Sequence, residues 1–317
     1  MGEPCGKYLA PIMASSLAQL YTHGELDEVA DRLTDQVWDQ LVAMSPATID
    51  RLLKPTKDTR YPAAKSATRP STTLRSEIGV RRATDEMEQA PGFFEIDLVA
   101  HCGHTLKGEH AWTLTATDVY LGWTVNVAIR NRAYSHVVAA IEQVADHLPY
   151  PMIGLDADNG GEFINHALVQ WCAERAIFMT RARAHTSNDN AHVEQKNGDI
   201  VRKSAFRYRY DTTEELALLS ELWQLVNLRK NLFLPTKKAT GWTTTKAGRT
   251  TRVYDAPKTP LARLRETSAL TDEKNHELQM LYERTNPAEL TRNINRIQQE
   301  LIASAADKTT AITDQAS

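Results

Sequence analysis

Between residues 93 and 131 three β-favouring runs, FFEIDLVAH, AWTLTATDVY and GWTVNVAIRN, follow one another with turns at Gly108 and Gly122. Strands joined by connections this short pair antiparallel, since a parallel partner needs a crossover of about a dozen residues or more. A helical stretch, SHVVAAIEQVADHL, comes next, then a strand, MIGLDA, a helix over about 161–175, a strand, AIFMT, and a helix from about Asn190 to Arg207. An antiparallel meander followed by alternating helix and strand predicts an α/β domain. Its sheet is mixed and carries helices on both faces.

The flanks read differently. Residues 6 to about 53 carry apolar residues at helical spacing, Val29, Leu33, Val37 and Leu41, then Ile49, Leu52 and Leu53. Ser45 before Pro46 is a helix start, with Ser as N-cap and Pro at the first helical position. A helix ending near Met44 and a second, SPATIDRLL, directly after it have the shape of a helix-turn-helix, although a small helical bundle without DNA contact has the same pattern. From Lys54 to Arg82 eight Lys and Arg stand against Asp58 and Glu77 in a Pro-, Thr- and Ser-rich segment, which reads as a basic, extended linker. After residue 210 the chain is helical again, interrupted by a Pro-, Thr- and Lys-rich piece. The expected organisation is a helical domain over 1–55, a linker over 56–90, a core over 91–209, a helical region with a loop-rich insert over 210–304, and a disordered tail over 305–317. Residues 232–260 are the place for a small β-rich DNA-binding module.

Composition sets outer limits. Apolar residues make up 42% and charged residues 24% of 317 residues, ordinary for a soluble globular chain of two or three domains. No apolar run approaches the roughly 20 residues a membrane span needs, and no signal peptide is evident, so a cytoplasmic protein is expected. Cys5, Cys102 and Cys172 are odd in number and far apart, fitting neither a disulfide framework nor a zinc site. His101, Cys102 and His104 in HCGH are too cramped to supply separate tetrahedral ligands. The net charge of −3 argues against nucleic acid only until the local +6 of the linker is counted.

Three carboxylates then stand out. Asp97 interrupts the apolar run around Phe94, Ile96 and Leu98, where a buried, unpaired charge is costly. Asp158 follows the fourth strand in DADNGGEF, where Asn159-Gly160 makes a turn, and Asp156 and Glu162 read as turn and helix-start residues. Glu194 lies on the helix that follows, with 35 residues between it and Asp158 and Asn190 as a capping residue. Each alone has an ordinary structural explanation; the combination and its order do not arise easily by accident.

The segments EIDLV, DNGGEF and NDNAHVEQKN, with that 35-residue gap, resemble the retroviral-integrase superfamily of DDE transposases and integrases. The resemblance covers roughly residues 90–207 and implies a ribonuclease-H-like fold. The helix-turn-helix and basic linker resemble those of bacterial insertion-sequence transposases less specifically. The implied activity is metal-dependent DNA strand cleavage followed by attack of the freed 3′-OH on target DNA. Asp97, Asp158 and Glu194 are the implied catalytic residues and metal ligands, Asp97 shared between two ions, with Mg²⁺ as cofactor and Mn²⁺ as substitute. Hard cations of this kind need only oxygen ligands, and a metal pair stabilises both attacking and leaving oxygens. DNA is the implied partner, bound by a homo-oligomer. Arg181, Arg183, Lys196, Asn197, Arg202 and Lys203, with His185, are candidates for contacting it. A catalytically silent relative that only binds DNA is the alternative, and a ribonuclease-H-type nuclease using Glu142 is a third reading.

Overall fold

The computed structural model describes residues 4–58, 79–81, 89–157, 163, 166–182, 197–244 and 250–316. The chain divides into two compact units, one of residues 1–63 with 228–292, the other of 64–227 with 293–317.

The second unit is built on a six-stranded sheet. Its strands are β1 (Gly79–Arg81), β2 (Phe93–Ala100), β3 (Trp112–Asp118), β4 (Thr124–Ile129), β5 (Gly154–Ala157) and β6 (Phe178–Ala182), in the order β1-β6-β5-β2-β3-β4. β2, β3 and β4 form the antiparallel meander, and β5, β6 and β1 extend the sheet in parallel from β2. Helices α5 (Tyr134–His147) and α6 (His166–Glu174) supply the long crossovers that parallel pairing requires. This is the ribonuclease-H-like mixed sheet expected from the sequence. β1 lies where an extended linker was expected; its Gly79-Val80-Arg81 pairs with Thr180, Arg181 and Ala182 of β6.

The two faces of the sheet differ in chemistry. Phe94, Ile96, Leu114, Ala116, Leu155 and Ala157 are at most 1% exposed and form the apolar face. Val137, Ala140, Ile141 and Val144 of α5, with Leu168 and Cys172 of α6, are the buried residues that cover it. The alternate positions, Glu95, Thr113, Thr115, Thr117, Thr124, Asn126, Asp156 and Thr180, are polar and also buried, at most 7% exposed. Such a face must satisfy its own hydrogen bonds. Thr115 Oγ1 donates to Asn126 Oδ1 at 3.2 Å. Helix α8 (Thr213–Phe233) supplies Trp223, whose Nε1 donates to Thr113 Oγ1 at 3.0 Å. It also supplies Asn227, whose Oδ1 accepts from the N–H and Nδ2 of Asn126 at 2.9 and 2.8 Å.

Helix α11 (Pro287–Ala316) continues through the stretch where a disordered tail was expected. After Pro287 it contains neither Gly nor Pro, and alanines recur along it, so nothing in its sequence stops the helix. Lys308 on this helix binds Glu215 Oε1 and Oε2 at 2.8 and 2.7 Å, and Asp211 at 2.6 Å.

In the first unit, helices α1 (Gly6–Leu9), α2 (Met13–Thr22), α3 (Asp35–Val42) and α4 (Pro46–Asp58) come from the N-terminal segment. The helix expected up to Met44 is broken: a 3-10 turn runs over Asp27–Arg32, and α3 starts afresh where Thr34 Oγ1 accepts from Val37 N–H at 3.3 Å. α4 starts as read, Ser45 Oγ accepting from Thr48 N–H at 3.2 Å with Pro46 in the first helical position. The later segment adds an antiparallel hairpin, β7 (Ala239–Thr244) and β8 (Thr250–Tyr254), and helices α9 (Pro260–Arg265) and α10 (Asp272–Arg284). Contacts from both segments hold the unit together: Arg292 pairs with Glu25 at 2.7 Å, and Asn286 Nδ2 donates to Glu25 at 2.6 Å. Among the described residues no helix is long and apolar enough to cross a membrane.

Candidate active site

Asp97 lies in the middle of β2, on the polar face, between Ile96 and Leu98. It is half-buried, and its charge is held by donors rather than left in an apolar surrounding. Oδ1 accepts from the N–H of Leu98 at 2.7 Å and Oδ2 accepts from Asn197 Nδ2 at 2.5 Å. Asn197 opens a π-helical turn, Asn197–Val201, anchored by the buried Ile200 and Val201. The turn runs into α7 (Arg202–Ser204), whose Ser204 carbonyl accepts from Gln298 of α11 at 2.8 Å. Arg202 is half-buried and its Nη1 donates to the carbonyl of Ala100, at the end of β2, at 3.0 Å. Burial and then the neighbouring Arg207 lower its pKa, while Cys102 and Asp97 act in the opposite direction.

Asp158 and Glu194 lie outside the described residues, as do Arg183, His185 and Lys196. The nearest described residues in the chain are Ala157 before Asp158 and Asn197 after Glu194. β5 runs parallel to β2 and their register ends on Ile96 opposite Ala157, the residues that precede Asp97 and Asp158. Asn197, three residues beyond Glu194, is the residue bonded to Asp97. Arg181 pairs with Ala157, on the face opposite Asp156 and Thr180, and is half-buried. Lys203 is exposed on α7.

Asp156 is not the turn residue its position in DADNGGEF suggested. β5 continues through it, its side chain is fully buried, and the hydroxyl of Thr180 donates to it. Glu95, opposite Asp156 on β5 and Thr117 on β3, is also buried. These carboxylates were missed, although the period of two along EIDLV puts Glu95 on the same face as Asp97. His101 of HCGH is buried with Nε2 2.7 Å from Thr113 Oγ1; burial, then Arg202 and His110, push its pKa down to about 3. Glu142, needed for a ribonuclease-type site, pairs on the surface with Arg175 at 2.7 Å. Among the described residues no group of three or more His, Cys, Asp or Glu could hold a metal.

Residues 88–187 match the integrase core domain. Over 259 residues the chain is 36% identical to an uncharacterized protein, y4rM, of Sinorhizobium fredii, an alignment spanning 82% of this chain and 72% of that one. The chain belongs to the DDE transposase and integrase superfamily. The matched core of this transposase/integrase starts before β2 and ends after β6, so it contains Asp97 and Asp158 and stops short of Glu194 and Asn197. Among solved structures, the catalytic core domain of BIV integrase is similar at 14% identity and TM-score 0.36, covering 56% of this chain and 95% of that one. The HTLV-2 integrase catalytic core domain in complex with magnesium is similar at 15% identity and TM-score 0.35, covering 47% and 92%.

Proposed function

We propose that the protein is a DNA transposase or integrase that cleaves DNA strands and joins a freed 3′-OH to target DNA, using Asp97, Asp158 and Glu194. One observation supports the reading: the described residues nearest the other two carboxylates in the chain are bound to the strand around Asp97. Ala157 stands beside Ile96, and Asn197 donates to Asp97.

The residues fit a hard divalent cation. Asp97 offers charged oxygen beside an amide and a backbone N–H, with no thiolate or imidazole bonded to it among the described residues, and oxygen donors are what Mg²⁺ or Mn²⁺ prefers. When bound, such ions stabilise charge on the attacking and leaving oxygens of a phosphodiester. The chain's own part is positional. Asn197 and the Leu98 N–H fix the orientation of the Asp97 carboxyl, and the buried residues on either side in β2 hold its backbone. Water is the nucleophile that frees the 3′-OH, and that 3′-OH is the nucleophile of the joining step, so no side chain forms a covalent bond to DNA. Arg183, Lys196, Arg202 and Lys203 supply cations for the phosphates around this site, whereas Arg181 pairs with Ala157 on the other face of the sheet from Asp97. The protein acts in the cytoplasm as a homo-oligomer on DNA ends.

The test is nicking of supercoiled plasmid with Mg²⁺ or Mn²⁺ by the full chain, beside Asp97→Asn, Asp158→Asn and Glu194→Gln. Metal-dependent nicking lost in all three variants is expected. Nicking that survives all three overturns the assignment; plasmid bound but never cut, with cognate ends supplied, favours a silent DNA-binding relative.

A further inference from the structure

A cavity of about 320 Å³ lies in the first unit, where the 3-10 turn Ala10–Ile12 and the start of α2 meet the end of α8, residues 257–259 and helices α9 and α10. It contains none of the residues assigned to strand transfer. Leu232, Phe233 and Leu261, each at most 3% exposed, are its most deeply buried lining. Phe233 stacks on Tyr282, another lining residue, with ring centroids 5.2 Å apart, and Ile12 and Pro257 add to the apolar wall. Protein interiors are close-packed, and pockets for small ligands begin at about this volume.

Two polar groups interrupt this apolar lining. Ser16 is 6% exposed, yet its hydroxyl finds no hydrogen-bond partner among the described residues. The Ile12 carbonyl one turn back, the usual acceptor for a helical serine there, already accepts from Ser15 Oγ at 3.1 Å. Buried hydroxyls in native proteins are paired, so this one is a donor left for a group inside the cavity. Arg265, the last residue of α9, is the second polar group. The other lining cation, Lys258, is paired with Glu266 at 2.7 Å, and Asp255 is taken by Arg263. Arg265 has no hydrogen bond or ion pair among the described residues; partial burial lowers its pKa, and Tyr282 and Glu283 act on it in the opposite direction. A guanidinium left in this state offers its planar fork to a carboxylate.

We propose that this cavity binds a small organic acid with an apolar body and one carboxylate, the body packing against Leu232, Phe233 and Leu261, Arg265 pairing with the carboxylate and Ser16 donating a hydrogen bond to a ligand oxygen. An inorganic anion would leave the apolar wall in water, and a neutral ligand would leave the guanidinium without a counter-charge. The site is independent of the strand-transfer reading. Its occupant touches both chain segments of the first unit at once, so binding stabilises that unit.

The experiment is isothermal titration calorimetry of 2-naphthoate into the full chain, without DNA or metal, beside its neutral analogue 2-naphthamide. Naphthoate should bind at a single site with a Kd of about 1 mM or tighter and raise the melting temperature, and the amide should bind about tenfold more weakly. Arg265→Gln should weaken naphthoate about tenfold and leave the amide unchanged, because only the charged pair is lost. Ser16→Ala should weaken naphthoate about three- to tenfold without lowering the melting temperature, since the hydroxyl has no partner in the fold and alanine favours the helix. Ala262→Trp, at an exposed position of α9 that lines the cavity, should abolish binding of both compounds at an unchanged melting temperature. Absence of naphthoate binding up to about 10 mM overturns the proposal, and so does binding that none of the three variants weakens. Equal affinity for acid and amide overturns the carboxylate assignment. A melting temperature lowered by Ser16→Ala makes the hydroxyl a structural group and overturns its part in binding.

Discussion

Lys308 is the point at which the end of α11 is fastened to the catalytic unit, and removing it gives a measurable loss. Glu215 caps α8: its Oε2 accepts from the N–H groups of Asp211 and Thr212 at 2.8 and 3.0 Å, while Thr212 Oγ1 accepts from Glu215 N–H at 3.2 Å. This is a reciprocal capping box. The Glu215 side chain is 3% exposed and that of Lys308 26%. Removing one partner of a fully buried ion pair costs about 3–5 kcal/mol. Because Lys308 retains some water and Glu215 keeps its two N–H donors, Lys308→Met should cost less, about 2 kcal/mol. Glu215→Ala also loses the cap, worth about 1 kcal/mol, and should cost about 3 kcal/mol in total.

Urea unfolding followed by tryptophan emission reads the loss directly, since Trp223 is buried in the same unit. In a unit of this size about 2 kcal/mol corresponds to a midpoint shift of roughly 4–8 °C on heating. The double variant should cost less than the sum of the single ones, because the second substitution removes a charge whose partner is already gone. If Lys308→Met costs less than about 0.5 kcal/mol and the two substitutions add, α11 is not docked on Glu215 and the reasoning is wrong.

Two further outcomes follow from the polar face. Asn227→Ala removes three hydrogen bonds to Asn126 (2.8–3.0 Å), two of them to backbone groups, and should lower unfolding free energy by about 2–4 kcal/mol in the same urea assay. His101 has a native pKa near 3 against 6.5 unfolded, so it supports the fold above pH 6.5 and that support is lost as pH falls towards 3. By pH 5 the loss is about 2 kcal/mol, and His101→Gln should abolish this part of the pH dependence. Asp118, buried with its pKa raised to about 6, acts in the opposite sense, its stabilisation fading as pH rises through 6. The difference between wild type and variant, rather than either curve alone, is therefore the quantity to measure.

The meander and the crossover strands were legible because β-branched and aromatic residues crowd FFEIDLV, WTLTATD and TVNVAI while helical spacing fills SHVVAAIEQV. Asp97 was legible as a charge out of place in such a run. Glu95 and Asp156 were not, because a buried carboxylate is read from its partners, and Thr180 lies 24 residues from Asp156 in the chain. The break before α3, set by a single Thr cap at Thr34, was outweighed in sequence by the apolar spacing on either side of it. The composite first unit was equally hidden: no local pattern in GKYLAP announces that it shares a compact unit with residues 228–292.

The polar face explains how one charge can be held still in the middle of a strand. An apolar face packs without direction, and its side chains tolerate small slips. Here the threonines and Asn126 bind their covering helix through directed bonds, Trp223 to Thr113 and Asn227 to Asn126, which fix where α8 lies on β3 and β4. β3 is bonded to β2 over the whole register from Phe94 to Ala100, so that placement is passed to the strand carrying Asp97. On the other side Arg202 grips the end of β2 and Asn197 grips the carboxylate, both from one turn that α11 fastens through Gln298. A phosphoryl-transfer site needs its oxygens placed within about half an ångström, and a polar frame with satisfied bonds supplies that more reliably than an apolar one of equal burial.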